Sequence, residues 1–354
     1  MRFIHIADVH LGAVPDKGYS WSGQRGEEIW RSFRKLLDEA ENQQTDFLLI
    51  AGDLFHQPPT LRELREANYL FGKLSHTQVV LIAGNHDFLG EDSPEMTFQW
   101  NENVVFLDKE YCECVYFEGF NTYIYGFSYH RREITDPLYD ELRPDQREGC
   151  HILLAHGGDE HHIPFNKKKL EKNGFDYIAL GHIHKPQELI TNRMAYAGAL
   201  EPIDVNDVGP HGYIAGEFEN GKIHTEFVEF ASRSYVHLEL ESDAGTTSFA
   251  MQEQIEEALR EHGDENIYRI KIKGFRSPDI RWNTRSWMNM GNILDIRDDS
   301  KPDYDLEEIY RVHKDDIIGR YIEKLLGNEK QEMREKSVRM RAVYYGIHAL
   351  MKEI

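Results

Sequence analysis

The stretch Asp46-Phe47-Leu48-Leu49-Ile50-Ala51-Gly52-Asp53-Leu54-Phe55-His56 decides the fold. The apolar run Phe47 to Ala51 is too short for a free-standing helix and meets glycine at once. It reads as a strand buried on both faces of a parallel sheet. In open α/β sheets, ligands bind beyond the carboxyl ends of the strands. Asp53 stands at such an end, and Gly52 lets the backbone turn sharply there.

The design recurs elsewhere in the chain. Asp8 and His10 follow Phe3 to Ala7, and Asn85, His86 and Asp87 follow Val79 to Gly84. His156 follows Ile152 to Ala155, while His182 and His184 follow Tyr177 to Gly181. One histidine after a strand is ordinarily a satisfied polar residue. Oxygen and nitrogen donors at the end of every strand of the first half point to a metal centre. The other histidines, His5, His76, His130, His151, His211, His224 and His237, lack this placement; His5 and His151 read as core.

Working outward, Ile29, Trp30, Phe33, Leu36, Leu37 and Ala40 have helical spacing and give a crossover helix after a loop from Gly12 to Gln24. Thr60 and Glu63 form a capping-box signature for a helix with the stripe Leu61, Leu64, Ala67, Leu70, Phe71 and Leu74. The resulting βαβαβ order implies a right-handed parallel sheet. Short alternating segments from Val104 to Phe127 predict a second, more antiparallel sheet. Strands return at Ile152 and Tyr177, with a helix expected over Lys167 to Lys172. Glu219-Asn220-Gly221-Lys222 predicts a hairpin between Gly212 to Phe218 and Ile223 to Phe230.

The expected fold class is therefore a two-sheet α/β sandwich over residues 1–231, a small α+β capping domain over 232–298 and C-terminal helices. In the capping segment, strands at Val236 to Leu240, Ile267 to Ile272 and Ile293 to Arg297 flank a helix from Phe249 to Glu261. Residues 299–305 read as a linker and 306–354 as helices. Ile317, Ile318, Tyr321, Ile322, Leu325 and Leu326 make one stripe. Met333, Met340, Val343, Tyr344, Ile347, Leu350 and Met351 make another, in a basic helix from Lys330 to Ile354. Such helices either dock on their own domain or receive a partner's helix or coiled coil.

Composition bounds the function. No apolar run approaches the roughly 20 residues needed to span a bilayer, and the first strand leads straight into Asp8 without a cleavage site, so no membrane and a cytoplasmic address are expected. Three cysteines, Cys112, Cys114 and Cys150, do not make a disulfide framework and fit a reducing compartment. Cys112 and Cys114 would share one strand face, but no second pair completes a thiolate site. A net charge of −21 weakens a nucleic-acid reading. It does not exclude one, because bound cations carry the positive charge where a phosphate sits. Lys167, Lys168, Lys169 and Lys172 could follow a phosphate backbone, yet a solvated helix face is the plainer reading. Arg276, Arg281 and Arg285 interleave with Trp282 and Trp287 as in single-strand binders, although core packing explains the tryptophans more simply.

Carboxylates, an amide oxygen and imidazoles without thiolate suit divalent manganese, iron or zinc. Asp8, His10, Asp53, Asn85, His156, His182 and His184 are too many for one ion that must keep a position open, so two ions sharing a carboxylate are expected. Such a pair clamps a phosphoryl group for in-line displacement. His86, beside a ligand, is placed to donate a proton or orient the phosphate, and Asp87 to support it.

Asp8-Val9-His10, Gly52-Asp53, Gly84-Asn85-His86-Asp87, Ala155-His156-Gly157 and Gly181-His182-Ile183-His184, in that order, resemble the calcineurin-like metallophosphoesterase signature. The resemblance covers about the first 230 residues. Within it, Met1 to Gly12 and Gly52-Asp53-Leu54-Phe55-His56 are similar to the SbcD-type DNA-repair exonucleases, bacterial relatives of the meiotic-recombination nuclease. The short chain and compact capping segment would suit a YhaO-like side branch. The resemblance implies one manganese on Asp8, His10, Asp53 and His184 and a second on Asp53, Asn85, His156 and His182, with Asp53 bridging. It also implies that His86 orients the scissile phosphate and protonates the leaving oxygen, and that His56 lies near the substrate. Asp87 as the support of His86 follows from adjacency alone.

The expected function is thus a manganese-dependent DNA exonuclease or endonuclease in double-strand break repair. Its expected partner, from the tail, is an SbcC-type coiled-coil ATPase. A small-molecule phosphodiesterase on the same scaffold, and a metal-bound scaffold that recruits partners through the tail, are the competing readings. Whether the chain forms a homodimer stays open. Gly157-Gly158-Asp159-Glu160-His161-His162 departs from the signature; His161 and His162 read either as extra metal contacts or, more simply, as exposed loop histidines.

Overall fold

Strands β1 (Arg2–Ile6), β2 (Phe47–Ala51), β3 (Gln78–Ile82) and β4 (Val104–Phe106) lie side by side in parallel, with helices α1 (Ser22–Asn42) and α2 (Leu61–Phe71) as the first crossovers. They belong to a computed structural model that describes residues 1–145, 147–326 and 333–351, with the side chains of 333–337 left out. The chain divides into two compact units, residues 1–235 and 236–354.

The first unit is layered, and the apolar run of β2 shows why. Leu48 and Ile50 pack with Ile29, Phe33, Leu36, Leu64 and Phe71 of the two helices. Phe47, Leu49 and Ala51 face the other way, onto Ile152, Leu154, Tyr177 and Ala179 of a second sheet. Alternate residues of one strand thus serve two cores, so every position must be apolar. At α2, the Thr60 side chain accepts from Glu63 N and the Glu63 carboxylate accepts from Thr60 N, completing the expected capping box. Helix α1 starts at Ser22, inside the segment read as loop.

The second sheet contains β5 (Glu113–Phe117), β6 (Thr122–Gly126), β7 (Cys150–His156), β8 (Tyr177–Gly181), β9 (Gln187–Ile190) and β10 (Met194–Tyr196), in the order β5-β6-β7-β8-β10-β9. Two expectations change here. β4 extends the first sheet rather than opening the second, and β6, β7, β8 and β10 run parallel. The turn at Glu118–Asn121 dictates only the antiparallel β5–β6 pair, whereas β7 arrives after a long excursion that permits parallel pairing. Between β7 and β8, the lysine run forms a single helical turn, α3 (Lys167–Leu170). The hairpin of β11 (Gly212–Glu219) and β12 (Lys222–Glu229) turns at Asn220 and Gly221, both with positive φ, and joins the first sheet antiparallel to β1.

In the second unit, β13 (Tyr235–Ser242), β14 (Ile267–Arg276) and β15 (Ile293–Asp298) form a sheet whose core includes Met251, Ile255 and Leu259 of α4 (Ser248–His262). Trp282 and Trp287, the latter on α5 (Thr284–Trp287), are buried in that core, which sets them apart from stacking platforms. The expected linker is instead part of the sheet: β16 (Lys301–Pro302) pairs with β14, and Asp299 N and Asp303 N bond to Ile272 O and Arg276 O. The tail adds α6 (Leu306–Val312), α7 (Ile317–Leu326) and α8 (Met333–Leu350). Ile318 and Ile322 of α7 bury against Val343 and Ile347 of α8, so part of each apolar stripe finds its cover within the tail. The expected ends of the last helix at Lys330 and Ile354, and the Met333 side chain, lie outside the described residues. Among the described residues, no helix is long and apolar enough to cross a membrane.

Candidate metal centre

The strand ends that read as donor sites meet at one place. Asp8, His10, Asp53 and His182 all have positive φ (50°, 53°, 52° and 95°), a conformation L residues adopt at a cost of order 1 kcal/mol or more each. Local bonds hold them there. Asp8 N donates to Gly52 O at 3.2 Å and His10 N to Asp53 O at 3.1 Å, while the Asp8 carboxylate accepts His182 N at 2.9 Å. Gly84 lies against the group, and a Cβ there would collide with the Asp53 carboxylate and with His156 Nε2.

All seven expected ligands converge. Donor atoms of Asp8, His10 and His184 lie within 4.8 Å of one another, as do those of Asp8, Asp53 and His156. His10 Nε2 is 3.1 Å from His184 Nε2 and 4.0 Å from Asp53 Oδ2. On the other side, Asp53 Oδ2 is 3.4 Å from His156 Nε2, and Asn85 Oδ1 is 2.9 Å from His156 Nε2 and 3.0 Å from His182 Nδ1. Asp53 therefore faces both halves of the cluster.

Hydrogen bonds on the far side of three of the four rings, those of His156, His182 and His184, test whether a cation suits this place. His156 Nδ1 donates to Ala51 O at 2.8 Å, His184 Nδ1 to Asp207 at 3.0 Å and His182 Nε2 to Asp159 at 2.7 Å. A neutral imidazole carries one N–H, so in each of these rings the nitrogen that points inward is a lone pair. With these rings neutral, His156 Nε2, His182 Nδ1, Asn85 Oδ1 and the Asp53 carboxylate are all acceptors that face one another within hydrogen-bonding range. A divalent cation resolves this arrangement, and the donor set fits one.

Without a cation, protons on His156 and His184 answer the same demand for positive charge. Burial disfavours a charged ring at His156 and His184, yet carboxylates outweigh it and raise each to about 9: Asp53 and Asp8 at His156, Asp207 and Asp8 at His184. Burial also pushes the Asp53 carboxyl up, but His156, His10 and His86 hold it well below the usual range. Asp8 goes the other way, to about 6, chiefly through burial. His182 falls to about 4 through burial and the neighbouring His156.

His86 sits at the rim, its backbone N donating to Asp53 Oδ1 at 2.8 Å and its Nδ1 to the His56 carbonyl at 3.0 Å. The rings of His10, His56 and His86 cluster there. Asp87 does not support His86 as its adjacency led us to expect. Its buried carboxylate accepts Gly84 N at 2.7 Å and Phe55 N at 3.0 Å, tying together the two loops that carry Asp53 and Asn85. Adjacent residues after a strand point to different sides, so neighbours in sequence need not be neighbours in space.

Sequence reasoning missed Asp159 and Asp207, the carboxylates behind His182 and His184. The loop around Asp159 was noted for His161 and His162; His161 is exposed, and His162 bonds Asp159. Asp207 follows no strand, and nothing local marks it. Tyr129 and Tyr139 were also missed; both donate to His156 O, at 2.9 and 3.0 Å. Elsewhere in this unit, fully buried Arg25 binds Glu28 and Pro202 O, and Glu28 also pairs with Arg233. That network pins α1 to the segment after β10.

Comparison with known proteins agrees with this geometry. The model for the calcineurin-like phosphoesterase family matches residues 1–186. The uncharacterized metallophosphoesterase YhaO of Bacillus subtilis is 32% identical over 298 residues, 77% of this chain and 72% of its own length. DNA double-strand break repair protein Mre11 of Methanocaldococcus jannaschii is 31% identical over 58% of each chain. Mre11 of Archaeoglobus fulgidus is 25% identical over 79% of this chain and 70% of its own. With its donor groups gathered at the strand ends and a family match over more than half its length, the chain belongs to the calcineurin-like phosphoesterases.

Proposed function

We propose that the protein is a manganese-dependent DNA nuclease that hydrolyses phosphodiester bonds in double-strand break processing. The observation that carries this reading is the convergence of donor atoms in two groups that share Asp53. Asp8, His10, Asp53 and His184 would hold one cation, and Asp53, Asn85, His156 and His182 the other. When bound, such a pair supplies Lewis acidity and a nucleophile at neutral pH.

The rest falls to the chain's own residues. Because His86 gives its Nδ1–H to the His56 carbonyl, its Nε2 is the nitrogen left to orient a phosphate oxygen and hold a proton for the leaving oxygen. His56, stacked on His86, borders the same space and would line the substrate. Support for DNA comes from the names of the Mre11 relatives. The chain's acidity fits binding that relies on the cations rather than on a basic surface.

A coiled-coil ATPase is the proposed partner of the tail. Ile317, Val338 and Tyr345 stay exposed there although part of each apolar stripe is internally covered.

The test is cleavage of end-labelled linear DNA by metal-free protein supplied with manganese or magnesium, beside bis(p-nitrophenyl) phosphate. Absence of metal-dependent DNA cleavage would sink the nuclease reading. Hydrolysis of the small ester alone would assign a small-molecule phosphodiesterase instead.

A further inference from the structure

We infer that Asp159, clamped by His162, is the positioning residue that sets the affinity of the cation on the Asn85 side, so that the two cations are held with separately adjustable strength. The inference rests on the two-cation reading above.

Asp159 Oδ2 accepts His182 Nε2 at 2.7 Å. Its Oδ1 accepts His162 Nδ1 at 2.9 Å and the backbone N–H groups of His161 and His162 at 2.8 and 2.9 Å. His162 Nδ1 also lies 3.0 Å from Oδ2, so it clamps the carboxylate across both oxygens while Oδ2 holds His182. The rings of His162 and His182 lie 4.4 Å apart, which leaves His182 little room to swing. A charge-assisted bond of this kind fixes the tautomer, keeps the Nδ1 lone pair aimed at Asn85 and makes that nitrogen a better donor.

His184 has an equivalent support built differently. Asp207 Oδ2 accepts His184 Nδ1 together with the backbone N–H of Ile203 and Asp204, all at 3.0 Å. Asp207 is 12% exposed, whereas Asp159 is 42% exposed on the turn from Gly157 to Ile163. One cation side is thus anchored within the fold, and the other depends on a short solvent-facing turn that holds its carboxylate through two of its own backbone N–H groups and the His162 ring. His182 bonds outward through Nε2 and His184 through Nδ1, so the two supports do not share a ring or an oxygen.

The experiment is a titration of metal-free full-length protein with Mn²⁺, read by calorimetry and by the spin-coupled dimanganese EPR signal. Wild type should bind two ions. Asp159→Asn should keep one at wild-type affinity, weaken the other by about 10- to 100-fold, and lose the coupled signal at sub-saturating Mn²⁺. His162→Ala should do the same to a lesser degree, while His162→Asn, whose amide can replace the lost N–H, should restore binding. Asp207→Asn should weaken the opposite ion. Unchanged affinities in Asp159→Asn, or an equal fall in both, overturn the inference. So does loss of a third ion, which would make Asp159, His162 and His182 Nε2 a cation site of their own. Wild-type protein that binds no Mn²⁺ would sink the two-cation reading itself and this inference with it.

Discussion

The Nδ1–H of His86 is donated to the backbone carbonyl of His56, 3.0 Å away, and the two rings stack with centroids 5.3 Å apart. A main-chain partner fixes the ring without lending it charge, and Nε2 is left for the substrate. If the proposed function holds, His86→Gln should keep the bound cations and lower kcat by about 10²- to 10⁴-fold, the usual weight of one acid–base group. Metal content by plasma mass spectrometry, run beside the assay, checks this; loss of metal would make His86 a ligand. Because the tie is to a carbonyl, His56→Ala should cost less than His86→Gln.

Asp53 faces His10 on one side and His156 on the other. Asp53→Asn should therefore deplete both cations together and abolish hydrolysis. In wild type, Mn²⁺ at 100 times its dissociation constant should stabilise the fold by about 2.7 kcal/mol, seen as a rise in Tm that chelator reverses. The variant should show neither change. A variant that retains one tightly bound ion would refute a shared carboxylate.

Gly84 approaches the centre closely: a Cβ there would meet His156 Nε2 at 2.7 Å and Asp53 N at 2.8 Å. Gly84→Ala should cost about 1–3 kcal/mol, as overpacking does, and reduce metal content although no ligand is changed. Wild-type metal content in a folded variant would contradict the crowding.

Asp87 accepts two buried backbone N–H groups, from Gly84 and Phe55. Asp87→Ala strands both, at about 1–3 kcal/mol each, so its first effect should be a lower Tm. Activity lost at unchanged Tm would restore a catalytic role.

Glu95 is buried with Oε2 lacking a partner among the described residues, and burial raises its pKa to about 7. The unfolded chain ionises this carboxyl near its ordinary value, so the folded state favours the protonated form. Its contribution to stability is full below about pH 4.5 and is lost as pH rises toward 7. Glu95→Gln should leave Tm unchanged at pH 4 and raise it at pH 8. Equal Tm at pH 8 would show that the burial carries no penalty.

What the sequence by itself determined is the parallel first sheet, its crossover helices and which seven side chains the strand ends bring together. These rest on information within a few residues: an apolar run, a helical period, a capping pair, a donor directly after a strand. What only the tertiary structure decided depends on residues far apart in the chain. The assignment of β4 and the β11–β12 hairpin to the first sheet, and the parallel core of the second, are choices of partner that no local pattern encodes. Asp159 and Asp207 reach His182 and His184 across 23 residues in each case, from loops without a periodic signal. The role of Asp87 turned on where its oxygens point, which folding sets and adjacency does not. Strand ends carry their chemistry in the local sequence; the groups that hold that chemistry in place are chosen by packing.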